Sequence, residues 1–202
     1  MFTGIIAAVG RIDKIEPLGD AAAGLRLRIE AGALGLDDVA IGDSIAIQGA
    51  CMTVVAKAGN SFAIDISRES LSKTIGLDAP GEVNLEKAVS LATKLGGHLV
   101  TGHVDGIGEV LKFAPVAESY ELVVRAPKEL AKFIAYKGSV TVNGVSLTVN
   151  RVADIAGGAE FSINLIPHTI AATTLKALTP GVKVNLEIDL IARYVERMLS
   201  VK

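Results

Sequence analysis

The chain is written twice, and no other feature limits its fold as strongly. MFTGIIAAVGRI at 1–12 aligns with LVTGHVDGIGEV at 99–110, which sets Thr3, Gly4, Gly10 and Ile12 on Thr101, Gly102, Gly108 and Val110. SIAIQGACMTVV at 44–55 aligns with SVTVNGVSLTVN at 139–150, and SFAIDISRESL at 61–71 with EFSINLIPHTI at 160–170. VNLE occurs verbatim at 83–86 and 184–187. Blocks that keep their order at a nearly constant spacing mark an internal duplication. The fold therefore consists of one domain used twice, with copies at 1–97 and 98–186 and an extension at 187–202.

Each copy reads as strand. In Ser139–Val149, Val140, Val142, Val145, Leu147 and Val149 form two alternating runs around Asn143-Gly144. Such a pair between alternating runs predicts a tight hairpin with positive φ at the turn. Gln48-Gly49 holds the same place in the first copy. We expect about six short strands per copy, with short helices near 33–37, 68–73 and 127–135. That many antiparallel strands in so short a chain predict a small closed or nearly closed barrel, which removes exposed edges. The expected architecture is all-β: two tandem six-stranded β-barrels followed by a C-terminal α-helix. In the extension, Leu190, Ile191, Tyr194, Val195, Met198 and Leu199 recur at helical spacing, with Arg193, Glu196 and Arg197 on the other side. This amphipathic helix either packs on its own domain or joins copies of the chain.

Composition narrows the function classes. The chain is 50% hydrophobic and 21% charged, as expected for a globular core. A net charge of −2, no basic block and no Trp argue against a nucleic-acid partner. The most apolar window, 41–58, is interrupted by Asp43, Ser44, Gln48 and Thr53, so no membrane span or membrane partner is expected. The N-terminus has no basic n-region and reads as no signal peptide. With a single cysteine, Cys51, no intrachain disulfide can form, consistent with a cytoplasmic location.

The junction GGHLVTGHVDG at 96–106 holds two of the three histidines, His98 and His103. Five apart on a strand they would point to opposite faces, and no Cys or carboxylate cluster lies nearby, so no metal site is expected. His103, Asp105 and Ser146 can be drawn as a nucleophilic set, although nothing around Ser146 resembles a nucleophile elbow. Comparing the copies is more informative. Ser44 matches Ser139 and Thr53 matches Thr148, whereas Cys51 opposes Ser146, Ile5 opposes His103, Gly42 falls near Lys137 and Ala88 opposes Asp189. Either one pocket does chemistry while the other mainly binds, or the copies have simply drifted.

Together these motifs resemble the riboflavin synthase family: MFTGI at the start, G-x-C-x-T at 49–53, GGHLVTGHVDG, NGVSLTVN at 143–150, LIPHT at 165–169 and VNLEIDLIARYVER at 184–197. The resemblance implies that the two six-stranded barrels are Greek keys, and that the C-terminal helix gathers three chains into a homotrimer. It implies dismutation of two molecules of 6,7-dimethyl-8-ribityllumazine by four-carbon transfer, without metal or redox cofactor. The productive site would be a cleft between the N-terminal barrel of one chain and the C-terminal barrel of another. Lumazine synthase is a candidate partner. The catalytic candidates it implies are Phe2 as a packing and gating element, Cys51, Ser146 or a water they activate at the electrophilic C7, His103 for proton transfer, and Asp189 with Lys137 for protons or the ribityl chain. Ser44, Thr53, Asp65, Ser67 and Ser70 would line the N-terminal pocket, and Thr148, Asn164, Ile166 and Thr169 the C-terminal one. Ile6 and Val104 would offer backbone groups to the pteridine. The chain departs from the family pattern at QGACMT (48–53) and at His168, where an acidic residue is common. The alternative from another class is a lumazine-protein-like chromophore carrier, which shares the fold but lacks the reactive positions.

Overall fold

A computed structural model describes residues 1–20 and 23–201. In the first copy, β1 (Ala8–Pro17), β2 (Leu25–Glu30), β3 (Ser44–Ile47), β4 (Ala50–Ala58), β5 (Ser61–Ile66) and β6 (Gly81–Lys87) close into a barrel. Its strand order is β1-β2-β5-β4-β3-β6. Three hairpin-linked strands, β3 to β5, are followed by β6, which returns beside β3; this is the Greek-key connection. The helix α1 (Arg68–Lys73) lies on the return path, capped by Ser67, whose Oγ accepts from the Ser70 amide.

The second copy contains β7 (Gly106–Val116), β8 (Ser119–Pro127), α2 (Lys128–Ala131), β9 (Ser139–Val142), β10 (Val145–Thr148), β11 (Arg151–Ile155), β12 (Gly158–Leu165), α3 (Pro167–Ala172), a 3₁₀ turn (Thr174–Ala177) and β13 (Lys183–Ile188). The order β10-β9-β13-β7-β8-β12-β11 has seven members because the counterpart of β4 is split into β10 and β11. In the first copy the same place carries a register shift, between Val54 and Ala56. A bulge in one copy has become a break in the other, and the split strand still links the two ends of the sheet. β1 and β7 are also bulged at matching positions, which bends each strand around its barrel.

Alternation along the strands builds two cores. Ile12, Leu27, Ile29, Ile45, Phe62, Ile64 and Leu85 fill the first, and Val110, Leu122, Val142, Phe161, Ile163, Leu175 and Leu186 the second. Two helix expectations need correction. Residues 33–37 form turns, because Gly32 and Gly35 both hold positive φ. The helix expected over 127–135 stops at Ala131 and continues in tighter turns, where Phe133 and Ile134 donate to Leu130 and Ala131. The C-terminal helix α4 (Leu190–Ser200) begins on Asp189, whose Oδ1 accepts from the Ile191 amide. Its charged side grips its own barrel: Arg193 donates to Asp105 at 2.6 Å, and Lys132 pairs with Glu196. The apolar side does not pack there. Ile191, Tyr194, Met198 and Leu199 are all exposed, Leu199 to 77%. Residue 202, where the expected extension ends, lies outside the described residues. Among the described residues no helix is long and apolar enough to cross a membrane.

Candidate active site

The leading segment of each copy crosses to the other barrel. Phe2 and Val100 exchange backbone hydrogen bonds, so the two segments run side by side at the centre of the molecule. From there Gly4 O accepts from the Ser146 amide of the second barrel, and Gly102 O accepts from the Cys51 amide of the first, both at 2.8 Å. Ile6 consequently packs against the second core and Val104 against the first. Both glycines are at positive φ, and side chains there would collide: a Cβ on Gly4 would lie 2.5 Å from that of Ser146, and one on Gly102 2.7 Å from that of Cys51.

Buried polar groups fix this exchange. Glu86 on β6 accepts from the Thr3 amide and hydroxyl and from the Gly4 amide. Glu187 on β13 does the same for Thr101 and Gly102. Burial pushes both carboxyls above the ordinary 4.5, while the accepted hydrogen bonds pull them back. Between the barrels, Asn84 donates to Asn143 O and Asn185 to Gln48 O. The hairpin turns touch there as well, with Gly49 against Gly144.

In the first barrel a cavity of about 210 Å³ is lined by Cys51, Met52, Glu69, Ser70, Lys73, Gly102, His103 and Val104. Cys51 and His103 thus line one cavity although they come from different copies. The corresponding face of the second barrel carries a different pair. His98 Nδ1 lies 2.7 Å from Ser146 Oγ, and His98 Nε2 is buried without a partner among the described residues. Burial holds this imidazole below its ordinary 6.5, with the charge of Asp189 opposing. It is therefore neutral near pH 7, and one of its nitrogens can accept a proton. Ser146 is not joined to His103 and Asp105 as the set drawn from sequence would require. Residues 101–105 are not a strand, and Asp105 is engaged by Arg193 and the Ile188 amide. A larger cavity of about 520 Å³, between Thr3, Leu34, Lys87, Ser90 and Lys94, contains none of the catalytic candidates.

The lumazine binding domain family matches residues 3–88 and 101–189, once on each barrel. A riboflavin synthase of Photobacterium phosphoreum is 45% identical over all of this chain and 90% of that protein. One from Brucella abortus is 42% identical over 98% of each chain, and one from Bacillus subtilis 38% identical over 98% of this chain and 90% of its own. The chain belongs to the riboflavin synthase family. Among solved structures, LumP complexed with riboflavin superposes with a TM-score of 0.80 at 28% identity, covering 93% of this chain and 99% of that one. LumP complexed with 6,7-dimethyl-8-(1′-D-ribityl) lumazine gives 0.79 at 26% identity over the same shares.

Within this family frame, the remaining candidate residues fall into several settings. Phe2 is buried against Ala46, Val100 and Cys51. Thr53 and Thr148 are exposed at equivalent positions, paired across their hairpins with Ser44 and Ser139. Asp65 is held by Arg26, and Asn164 donates to Ser119. Ile166 stands exposed ahead of α3, and the Thr169 carbonyl accepts from the Thr173 hydroxyl. Lys137 Nζ donates to Asn150, and its backbone takes a left-handed φ of 62° where the first copy has Gly42. Its amide donates to Val149 O, as that of Gly42 donates to Val54 O, so the two positions are structural equivalents. Lys137 thus holds a backbone conformation that favours glycine, as Gln48, Ala117 and Asn143 also do. Sequence reasoning missed His98 as the partner of Ser146. It also missed the roles of Thr3, Glu86, Thr101 and Glu187, although TG and VNLE repeat in both copies. Among the described residues no group of His, Cys, Asp and Glu is arranged to hold a metal ion.

Proposed function

We propose that the protein forms riboflavin by dismutation: two molecules of 6,7-dimethyl-8-ribityllumazine exchange a four-carbon unit, giving riboflavin and 5-amino-6-ribitylamino-pyrimidinedione. One observation carries this reading beyond family membership. The two barrels share their backbone wiring but differ in reactive side chains, with Cys51 and His103 lining a cavity in one and Ser146 beside His98 in the other. Two copies of one substrate need similar pockets to be held, and different groups to act as donor and acceptor. Holding both in register supplies much of the rate acceleration.

In this reading Cys51, Ser146 or a water they orient adds to C7 of the acceptor. His103, with neutral His98 across the cleft, moves protons at the C7 methyl. Asp189 and Lys137 fix the ribityl chain or handle protons, and Phe2 packs at the gate. Thr53, Asp65, Ser67 and Ser70 hold one substrate with Ser44; Thr148, Asn164, Ile166 and Thr169 hold the other. The backbones of Ile6 and Val104 face the pteridines.

The first-barrel cavity, about 210 Å³, is smaller than the roughly 300 Å³ at which ligand pockets begin. This supports a site completed by another chain, and the exposed apolar side of α4 supports self-association; the working form in this reading is a homotrimer acting in the cytoplasm. Lumazine synthase remains the candidate partner for a larger assembly. The LumP complexes favour a second reading, a carrier that binds without turning over. The test is to incubate the protein with 6,7-dimethyl-8-ribityllumazine in chelator and follow absorbance. Two lumazines lost per riboflavin formed is the expected result; tight binding without riboflavin establishes the carrier.

A further inference from the structure

We infer that Glu86 and Glu187 are crossed positioning residues, each carboxylate building the catalytic pair of the opposite barrel rather than its own. Glu86 belongs to the first barrel, and its three accepted hydrogen bonds fix Thr3-Gly4. The carbonyls of that dipeptide hold the second-barrel pair: Thr3 O accepts from the His98 amide at 3.1 Å, and Gly4 O from the Ser146 amide at 2.8 Å. The chain of contacts from Glu86 therefore ends at the 2.7 Å approach of His98 to Ser146. Glu187 belongs to the second barrel and fixes Thr101-Gly102 in the same way. Gly102 O then accepts from the Cys51 amide, and His103 and Val104 follow directly into the first-barrel cavity.

A carboxylate is needed because all three donors converge on its two oxygens. Glutamine keeps one acceptor oxygen, but its amide nitrogen would face the glycine N–H, donor against donor. The crossover segment then loosens while barrel and core stay intact. Neither glutamate touches the reacting side chains, so each acts through a backbone segment.

The inference deepens the proposed reaction's site, and its readouts need no turnover. A failed crossed pattern therefore overturns it alone, whereas absent riboflavin formation overturns the reaction. The variants are Glu86→Gln and Glu187→Gln, with Thr3→Val and Thr101→Val as milder companions that keep the amide bonds to the glutamate and remove those of the hydroxyl, which donates to the glutamate and accepts from the Ile5 or His103 amide. Cys51, the only cysteine, is followed by its alkylation rate with iodoacetamide, and His98 by NMR titration of its ring. We expect Glu187→Gln to speed alkylation about tenfold, the least that losing a hydrogen bond to a charged group implies, with little movement of His98. Glu86→Gln should raise the His98 midpoint toward its ordinary value and change alkylation less. The valine variants should repeat both patterns more weakly, and they decide the matter if a glutamine variant fails to fold. Either of two results overturns the inference: each readout following the glutamate of its own barrel, or both readouts moving equally in both variants.

Discussion

Gly49 and Gly144 meet where the two hairpin turns touch, and substitution there isolates the cost of pushing the barrels apart. A Cβ on Gly49 would lie 2.7 Å from Gly144 N and 3.2 Å from its Cα. The obstacle is backbone, so no side chain can swing away. Gly49 also holds a φ of 88°, which an alanine adopts at a cost of about 1–2 kcal/mol. Gly59 provides the control, since it is left-handed too, at 57°, but a Cβ there meets nothing within 4 Å. Gly59→Ala should therefore cost only the backbone strain, about 1–2 kcal/mol. Gly49→Ala carries in addition about 1–3 kcal/mol of overpacking, for a total of about 2–5 kcal/mol. The assay is urea unfolding followed by far-UV circular dichroism, with slopes compared to check that both variants unfold over the same surface. A difference of less than about 0.5 kcal/mol between the variants, the usual scatter of surface substitutions, would refute the close approach of the turns.

Other consequences can be checked as directly. Burial depresses the His98 pKa, so the unfolded chain takes up that proton more readily; the stability carried by neutral His98 is present above about pH 6.5 and lost as the pH falls below it. In His98→Gln the melting temperature should decline less steeply over that acid range, and an unchanged slope would count against burial of the ring. Lys137→Gly should relieve left-handed strain and stabilise the fold by about 1 kcal/mol, part of the relief being offset by glycine's larger entropy when unfolded. Riboflavin formation should fall in the same variant, and full activity would remove Lys137 from the site. Tyr194→Asp places a charge on the exposed apolar side of α4. Sedimentation should then report single chains with unchanged circular dichroism and lost turnover; a trimer that survives would place the interface elsewhere.

Much of this protein is legible in its sequence because duplication converts one chain into its own comparison. Alternation around Asn143-Gly144 and Gln48-Gly49 specifies hairpins, since only a tight turn with positive φ joins such runs, and both turns are found. The helix over Arg68–Lys73 and the amphipathic Leu190–Ser200 follow from local periodicity and caps. Local pattern failed where a nearby glycine overrode it, at 33–37. It also failed to show that one copy would carry a bulge and the other a break in the same strand. The division of labour among the polar residues was decided only by tertiary structure. Sequence spacing put His103 beside Asp105 and left His98 aside. Folding instead carries each leading segment across to the other barrel, which places His103 at the cavity of Cys51, while His98 lies beside Ser146 of its own copy. A repeated TG and a repeated VNLE are visible in the letters. That the glutamate of one motif grips the threonine and glycine of the other, across more than eighty residues of chain, depends on barrel closure bringing the start and end of each copy together.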